Sequence, residues 1–282
     1  MSEPSPRPPG VELLEVRRLR LVEAAPPRMP PEDRLAMDRV WDEAVRDNPS
    51  LFDGPVVACA GLDWDGPHSL VLAWARTTYR FHGLRQVPGA NPGLSSLFVS
   101  VVQPTDDGSL LIGRMASWTA APGRWQLPGG SVEPPDDPRP LDVAALRRHA
   151  ARELAEETGI DVPLGDLPLW LVLRGERGDV GVLFLAPPGP ASPLRERFDA
   201  LVSAETALGR DPELDRIALV RSRADLAALG GPWADYLEPI VRRYAAPPAG
   251  APRSVAAGRE RLGAHRGGDV GFGVEDAQQQ AE

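Results

Sequence analysis

The 282-residue sequence holds one cysteine, Cys59, and no lysine, so all 31 basic side chains are arginine. A single cysteine cannot pair within the chain, which excludes a fold stapled by disulfides. Its place in the apolar run Val56-Val57-Ala58-Cys59-Ala60 points to a buried, inert thiol. Without lysine there is no amine for a Schiff base or lysine nucleophile. Basic charge is also short: 40 acidic groups leave a formal net charge of −9, and phosphate-backbone binding relies on basic clusters, so nucleic acid is not expected as a partner. No run approaches the ~20 apolar residues that span a bilayer, and Met1 to Gly10 lacks the apolar stretch of a secretory signal. No membrane association and a cytoplasmic location are the expectation.

What is present is a globular composition, 42% apolar, on a length that suggests about two structural units. Residues 1–10 and 247–282 are dominated by Pro, Gly, Ala, Gln and charge and read as disordered tails. Between them, Val11 to Val22 reads as a strand, and Glu32 to Val45 carries Leu35, Met37, Val40, Trp41 and Val45 at helical spacing. After a turn at Asn48-Pro49, the strands Val56 to Leu62 and Leu70 to Tyr79 complete an N-terminal β-rich extension over 11–92. A second unit, 93–246, opens with a hairpin from Leu97 to Val102 and Leu110 to Met115 about Asp107-Gly108. A short strand at Trp125 to Leu127, the loop Pro128-Gly129-Gly130 and a helix from Leu141 to Thr158 follow. A hairpin at Leu169 to Leu173 and Val180 to Leu185, helices near 193–206, 223–229 and 233–245, and a strand at Ile217 to Val220 predict an α/β sandwich around a mixed sheet.

The helix ending Arg152-Glu153-Leu154-Ala155-Glu156-Glu157-Thr158-Gly159 breaks a local rule. It places three carboxylates just before a glycine C-cap, where acids oppose the helix dipole by about 0.3–1 kcal/mol each. Glu153 and Glu157, one turn apart, add like-charge repulsion of roughly 0.2–0.5 kcal/mol. With no Lys or Arg one turn away on that face, a divalent cation is the economical compensation, and all-oxygen ligands suit Mg²⁺ or Mn²⁺. Glutamate is also a good helix former, so a solvated acidic face is the competing reading. A strand leading into Pro128-Gly129-Gly130 and the acidic pair Glu133 and Asp136 tilt the balance toward a site.

This constellation resembles the Nudix hydrolase family. Its box reads Gly, five residues, Glu, seven residues, then Arg-Glu-aliphatic-x-Glu-Glu-x-Gly-aliphatic. The second half matches throughout and Gly130 matches the box glycine. Asp136 stands where the first Glu belongs, and 15 residues rather than seven separate it from Arg152. The resemblance covers residues 95 to 245 and implies a Nudix-type α/β/α sandwich with the β-rich extension at its N-terminus. It further implies that Glu153, Glu156 and Glu157 hold Mg²⁺, that Arg152 orients them through an ion pair, and that an acid, most simply Glu153, takes a proton from the attacking water. A further acid from outside the box is expected between Glu205 and Asp215, with Glu213 the first choice over a solvated loop carboxylate.

Asn48-Pro49-Ser50-Leu51-Phe52-Asp53-Gly54-Pro55, Thr77-Thr78-Tyr79-Arg80 and the lengthened box also look like the UDP-sugar diphosphatase branch of that family. On this resemblance Tyr79 stacks on a nucleobase and Arg80 grips a diphosphate, against core packing and a structural ion pair as the alternatives. Arg114 is a weaker phosphate candidate, and Gly129 and Gly130 let backbone approach the phosphates. His149 is expected to be a hydrated surface side chain and Trp125 to pack. The implied reaction is Mg²⁺-dependent cleavage of a small-molecule nucleotide substrate, a UDP-sugar first, to UMP and sugar 1-phosphate. An ADP-ribose or dinucleotide pyrophosphatase and a non-catalytic nucleotide-sugar sensor are the alternatives, and a homodimer is compatible with either.

Overall fold

The computed structural model describes residues 10–90, 93–136 and 139–246. All belong to the single unit that ends at Ala246. Apart from Gly10, the two expected tails lie outside the described residues. In chain order the elements are β1 (Glu12–Leu14), β2 (Arg18–Glu23), α1 (Pro31–Asp47), β3 (Pro55–Trp64), β4 (Ser69–Thr78) and a 3₁₀ segment at Tyr79–Gln86. Then come β5 (Ser95–Pro104), β6 (Leu110–Met115), β7 (Trp125–Gln126), β8 (Gly129–Ser131) and α2 (Val143–Thr158). The chain continues with β9 (Leu169–Arg174), β10 (Val180–Leu185), α3 (Ala191–Ala207), β11 (Leu214–Val220), α4 (Arg223–Ala228) and α5 (Leu237–Ala245).

The strands form a mixed sheet with the main order β1-β9-β10-β5-β3-β4-β2, and β5 is its hub. It runs parallel to β10 and antiparallel to β3, β6 and β8. Its largely apolar middle, Leu97 to Val102 broken only by Ser100, follows from that position, because both faces are covered. Alternate residues part cleanly: Leu97, Val99 and Val101 join the core beneath α2, with Leu146, Ala150 and Leu154. Val102 and Phe98 face the opposite core, built with Leu226 of α4 and Leu237, Ile240 and Val241 of α5. Period-two sorting of one strand between two helical layers makes the α/β/α sandwich.

The extension is continuous with this sheet, through Ala58↔Ser96 and Cys59↔Ser95. Cys59 is buried there, and its thiol donates to the Gly61 carbonyl at 3.4 Å. The single strand expected over Val11 to Val22 is two strands at opposite edges, β1 against β9 and β2 against β4. Between them the Arg17 and Arg18 N–H groups donate to the His68 carbonyl, so the chain changes edges. Pro128-Gly129-Gly130 is not wholly a loop, since Gly129 and Gly130 pair with Ser100 and Val99. The last helix begins at Leu237 rather than near 233, because Trp233 bridges to Trp125 and the Ala234 N–H donates to the Trp125 carbonyl.

Candidate active site

The acid-rich end of α2 is set by its caps. Asp142 accepts the Ala145 N–H at 2.7 Å, and Gly159 ends the helix at φ 71°, the left-handed conformation glycine adopts without cost. Packing of Leu146, Ala150 and Leu154 on β5 rotates the carboxylates to unequal depths. Glu157 is buried at 3% exposure, whereas the Glu153 side chain is 15% and the Glu156 side chain 64% exposed.

Glu157 Oε2 accepts the Gly129 N–H at 2.7 Å, and its Oε1 is buried with no partner. Burial first, then the Glu213 carboxylate and those of Glu153 and Glu156, push the Glu157 pKa well above the ordinary glutamate range. The Gly129 N–H offsets this only in part. Glu213 stands just before β11 and its carbonyl accepts the Ala116 N–H. Its side chain keeps an exposed surface, yet the protein behind it and the charges of Glu153 and Glu156 raise its pKa as well. Glu153, Glu156, Glu157 and Glu213 therefore share one anionic pocket.

Two expectations about this helix are corrected. Cationic partners do reach its acidic face: Arg152 lies 3.5 Å from Glu153, 3.7 Å from Glu156 and 3.3 Å from Glu133. The i, i+4 step from 152 to 156 supplies the neutralisation thought to be lacking. His149 is not a hydrated surface group; it is 9% exposed, with Nε2 2.7 Å from Glu153 Oε1. A carboxylate only accepts, so the imidazole donates from Nε2 and fixes the Glu153 carboxyl from the side opposite Gly130.

Among the described residues no three His, Cys, Asp or Glu side chains already form a finished metal-binding group. Arg152 draws Glu156 outward and His149 engages Glu153. The residues nonetheless fit a hard divalent cation: among the described residues the carboxylates of Glu153, Glu156 and Glu213 act on Glu157, and a buried oxygen of Glu157 has no hydrogen-bond partner.

The two glycines are required by the same packing. A Cβ on Gly129, whose φ is +148°, falls 2.1 Å from the Val99 carbonyl oxygen. A Cβ on Gly130 falls 2.6 Å from Glu153 Oε2. Backbone at Gly130 thus lies close against the Glu153 carboxylate.

Beside the acids, a cavity of about 720 Å³ is lined by Phe52, Arg76, Tyr79, Ser131, Glu133 and Asp136, among others. Phe52 is 78% exposed, an unusual position for a phenyl ring. The loop carrying it docks through Asn48, whose Nδ2 donates to the Trp118 and Thr119 carbonyls, while Trp118 Nε1 donates to Pro212. The pKa of Tyr79, at the cavity wall, is raised by burial and by Glu213, and lowered in part by Arg124. A smaller cavity of about 80 Å³, lined by Pro26, Pro27, Phe81 and Leu84 among others, includes none of these acids.

Arg80 and Arg114 are held elsewhere. Arg80 donates from Nε to Asp53 at 2.6 Å and from Nη1 to Asp38 at 3.0 Å, and its N–H reaches Asp53 at 2.8 Å. Arg114 makes a two-pronged pair with Asp215 across β6 and β11. The ion-pair alternative for Arg80 is the one the geometry carries. Arg80→Ala is expected to lower stability by about 1 kcal/mol, since the pair is half-exposed, and to leave KM unchanged. Urea unfolding beside steady-state kinetics checks both. Two residues that the sequence reading did not place in the site are Phe52 and Arg124. The exposed aromatic in the Asn-Pro-Ser-Leu-Phe run was a visible signal for the first, while Arg124 has none in its local sequence.

The family model described as NUDIX domain matches residues 96–219. Comparison with curated proteins returns no match. Among solved structures, a MutT protein from Methanosarcina mazei Go1 is 21% identical over 53% of this chain and 92% of its own, with a TM-score of 0.35. The NUDIX domain of Shewanella oneidensis NrtR, solved with ADP ribose, is 18% identical over 56% of this chain and 94% of its own, with a TM-score of 0.35. A MutT/nudix family protein from Enterococcus faecalis is 18% identical with a TM-score of 0.29; the match takes in 47% of this chain and 45% of that one. The box helix and the paired glycines both fall within residues 96–219, the part of this chain that is similar to a NUDIX domain.

Proposed function

We propose that the protein is a Mg²⁺-dependent pyrophosphohydrolase that cleaves the phosphoanhydride of a nucleoside diphosphate linked to a second moiety. The observation that carries this reading is the buried Glu157 carboxylate, one oxygen on Gly129 N–H and the other without a partner, among three more carboxylates. So much negative charge in one pocket is costly to leave uncompensated. Glu153, Glu156 and Glu157 would hold the cation, which when bound supplies Lewis-acid neutralisation of the phosphate oxygens.

The chain's own residues do the rest. Gly129 and Gly130 let the backbone lie flat beside the acids, and His149 and Arg152 set the Glu153 carboxyl. Glu213 is the freer acid, because no arginine or histidine among the described residues pairs with it, and its raised pKa makes it the stronger base. It takes the proton of the attacking water in this reading, in place of Glu153. Tyr79 and Phe52 offer ring faces at the cavity, with Ser131, Glu133 and Asp136 to accept or donate hydrogen bonds to hydroxyls.

A UDP-sugar, cleaved to UMP and sugar 1-phosphate, is the favoured substrate. Aromatic faces and hydroxyl acceptors in one cavity suit a base and a sugar. The test is a panel of UDP-glucose, UDP-galactose, ADP-ribose and dinucleotides with Mg²⁺, with products identified by chromatography. UMP from the UDP-sugars at the highest kcat/KM is the expected result. Faster cleavage of ADP-ribose would reassign the substrate, and tight nucleotide binding with no product would make the protein a sensor.

A further inference from the structure

Arg124 differs from the other arginines near the site in having no carboxylate. Arg80, Arg114 and Arg152 are each committed to acidic partners. Among the described residues Arg124 enters no ion pair, and its Nε is buried with no hydrogen-bond partner. A desolvated guanidinium N–H left without a hydrogen-bond partner is costly.

Its position is firmly set. The Arg124 N–H donates to the Ala121 carbonyl and its own carbonyl accepts the Met115 N–H at 2.9 Å. The next residue, Trp125, is 1% exposed, and its Nε1 donates to the Gly230 carbonyl. Trp125 also bonds through its backbone to Pro232 and Ala234. With Trp125 pointing into the core, strand alternation sends the Arg124 side chain to the other face. Met115-Ala116 lies between Arg124 and Glu213: Met115 bonds to the first and Ala116 to the second. Two strand spacings, about 10 Å of backbone, therefore separate the guanidinium's anchor from that of the acid. The two charges act on the same groups. Arg124 lowers the pKa of both Tyr79 and Tyr236, while Glu213 raises the first and Glu157 the second. Arg124 and the acids thus act on the same two tyrosines with opposite sign.

We infer that Arg124 is a substrate-binding residue that grips non-bridging oxygens of the diphosphate, on the side away from the Glu153, Glu156 and Glu157 wall. A planar guanidinium with free N–H groups matches a phosphate in two-pronged fashion, which an ammonium cannot do. This inference rests on the pyrophosphohydrolase reading for the identity of the anion.

The test compares wild type, Arg124→Gln and Arg124→Lys by calorimetry with three probes in the presence of Mg²⁺: α,β-methylene-UDP, α,β-methylene-ADP and inorganic pyrophosphate. Arg124→Gln is expected to weaken each probe that wild type binds by about 10–100-fold. Arg124→Lys, keeping the charge but not the fork, should recover only part of it. Mg²⁺ titrated alone should bind both variants at least as tightly as wild type, since a nearby cation has been removed or preserved without touching the acids. If Arg124→Gln does not fold, Arg124→Lys decides, with affinity equal to wild type overturning the assignment. Unchanged probe affinity in a variant that still hydrolyses nucleotides overturns the Arg124 assignment and leaves the reaction standing. Pyrophosphate affinity lost in Arg124→Gln while wild type hydrolyses no nucleotide keeps the anion site and removes the reaction. Wild type binding none of the three probes overturns the assignment outright.

Discussion

Glu157→Gln is expected to lower kcat/KM by about 10³-fold and to abolish any stabilisation of the fold by Mg²⁺. The first figure follows from losing several kcal/mol of cation-mediated charge neutralisation, at 1.36 kcal/mol per tenfold. The second follows because the buried Glu157 oxygen without a partner is the pocket's least satisfied donor. The amide oxygen of Gln still accepts the Gly129 N–H, so the substitution removes charge while keeping shape. The metal-free proteins should also differ in pH dependence. Burial raises the folded-state pKa of Glu157 above the ordinary value of 4.5, so the folded chain holds a proton that the unfolded chain releases first. Stability from this group is then complete below the unfolded value and is lost as pH rises toward the folded one. Wild type in EDTA should therefore lose melting temperature more steeply above about pH 5 than Glu157→Gln does, and Mg²⁺ should remove the difference. Melting curves of both proteins across pH, with and without Mg²⁺, read this out. A Mg²⁺ shift that survives in Glu157→Gln would place the cation elsewhere.

The sequence disclosed the sheet and its acidic helix because both obey local rules. The apolar strands Leu110–Met115 and Val180–Leu185 stand where they were expected, the first just after the Asp107-Gly108 turn, and the Gly159 C-cap ends α2 at the expected residue. The acidic end of that helix was visible as a conflict between charge and dipole. Other features depend on residues far apart in the chain. Val11 to Val22 reads as one strand because both halves have strand character, but its halves find partners far apart in the chain, Leu14 pairing with Val172 of β9 and Arg18 with Ser69 of β4. His149 looks like a surface residue until the helix is packed and its ring is enclosed beside Glu153. Arg80 has the look of a phosphate ligand until Asp53 and Asp38 close on it from the loop and from α1. Arg124 has an ordinary neighbourhood in sequence; the tyrosines that its charge acts on, Tyr79 and Tyr236, come from distant parts of the chain. Periodicity locates elements, whereas the partners of a polar group are decided by the topology that joins them.

The paired glycines separate a structural requirement from a chemical one, and adding a methyl to each should give different failures. Gly129→Ala is expected to cost at least about 3 kcal/mol or to prevent folding. Its Cβ would sit 2.1 Å from the Val99 carbonyl oxygen and 2.7 Å from Ser100 Cα, both backbone atoms of the central strand, at a φ that L-residues rarely adopt. Neither obstacle can move without breaking the β5–β8 pairing. At Gly130 the backbone angle is ordinary, and the obstacle is the Glu153 carboxylate, with Oε2 at 2.6 Å. A side chain can swing away, at the cost of the His149 bond or of the carboxyl's place in the pocket. Gly130→Ala should therefore fold with a melting temperature within a few degrees of wild type, yet lose about 10–100-fold in activity and in Mg²⁺ affinity, the range seen when groups that orient a ligand are disturbed. Thermal unfolding, Mg²⁺ calorimetry and kinetics on the two variants check the contrast. A Gly130→Ala protein that binds Mg²⁺ and turns over as wild type does would mean that Glu153 need not stay where His149 and Gly130 hold it.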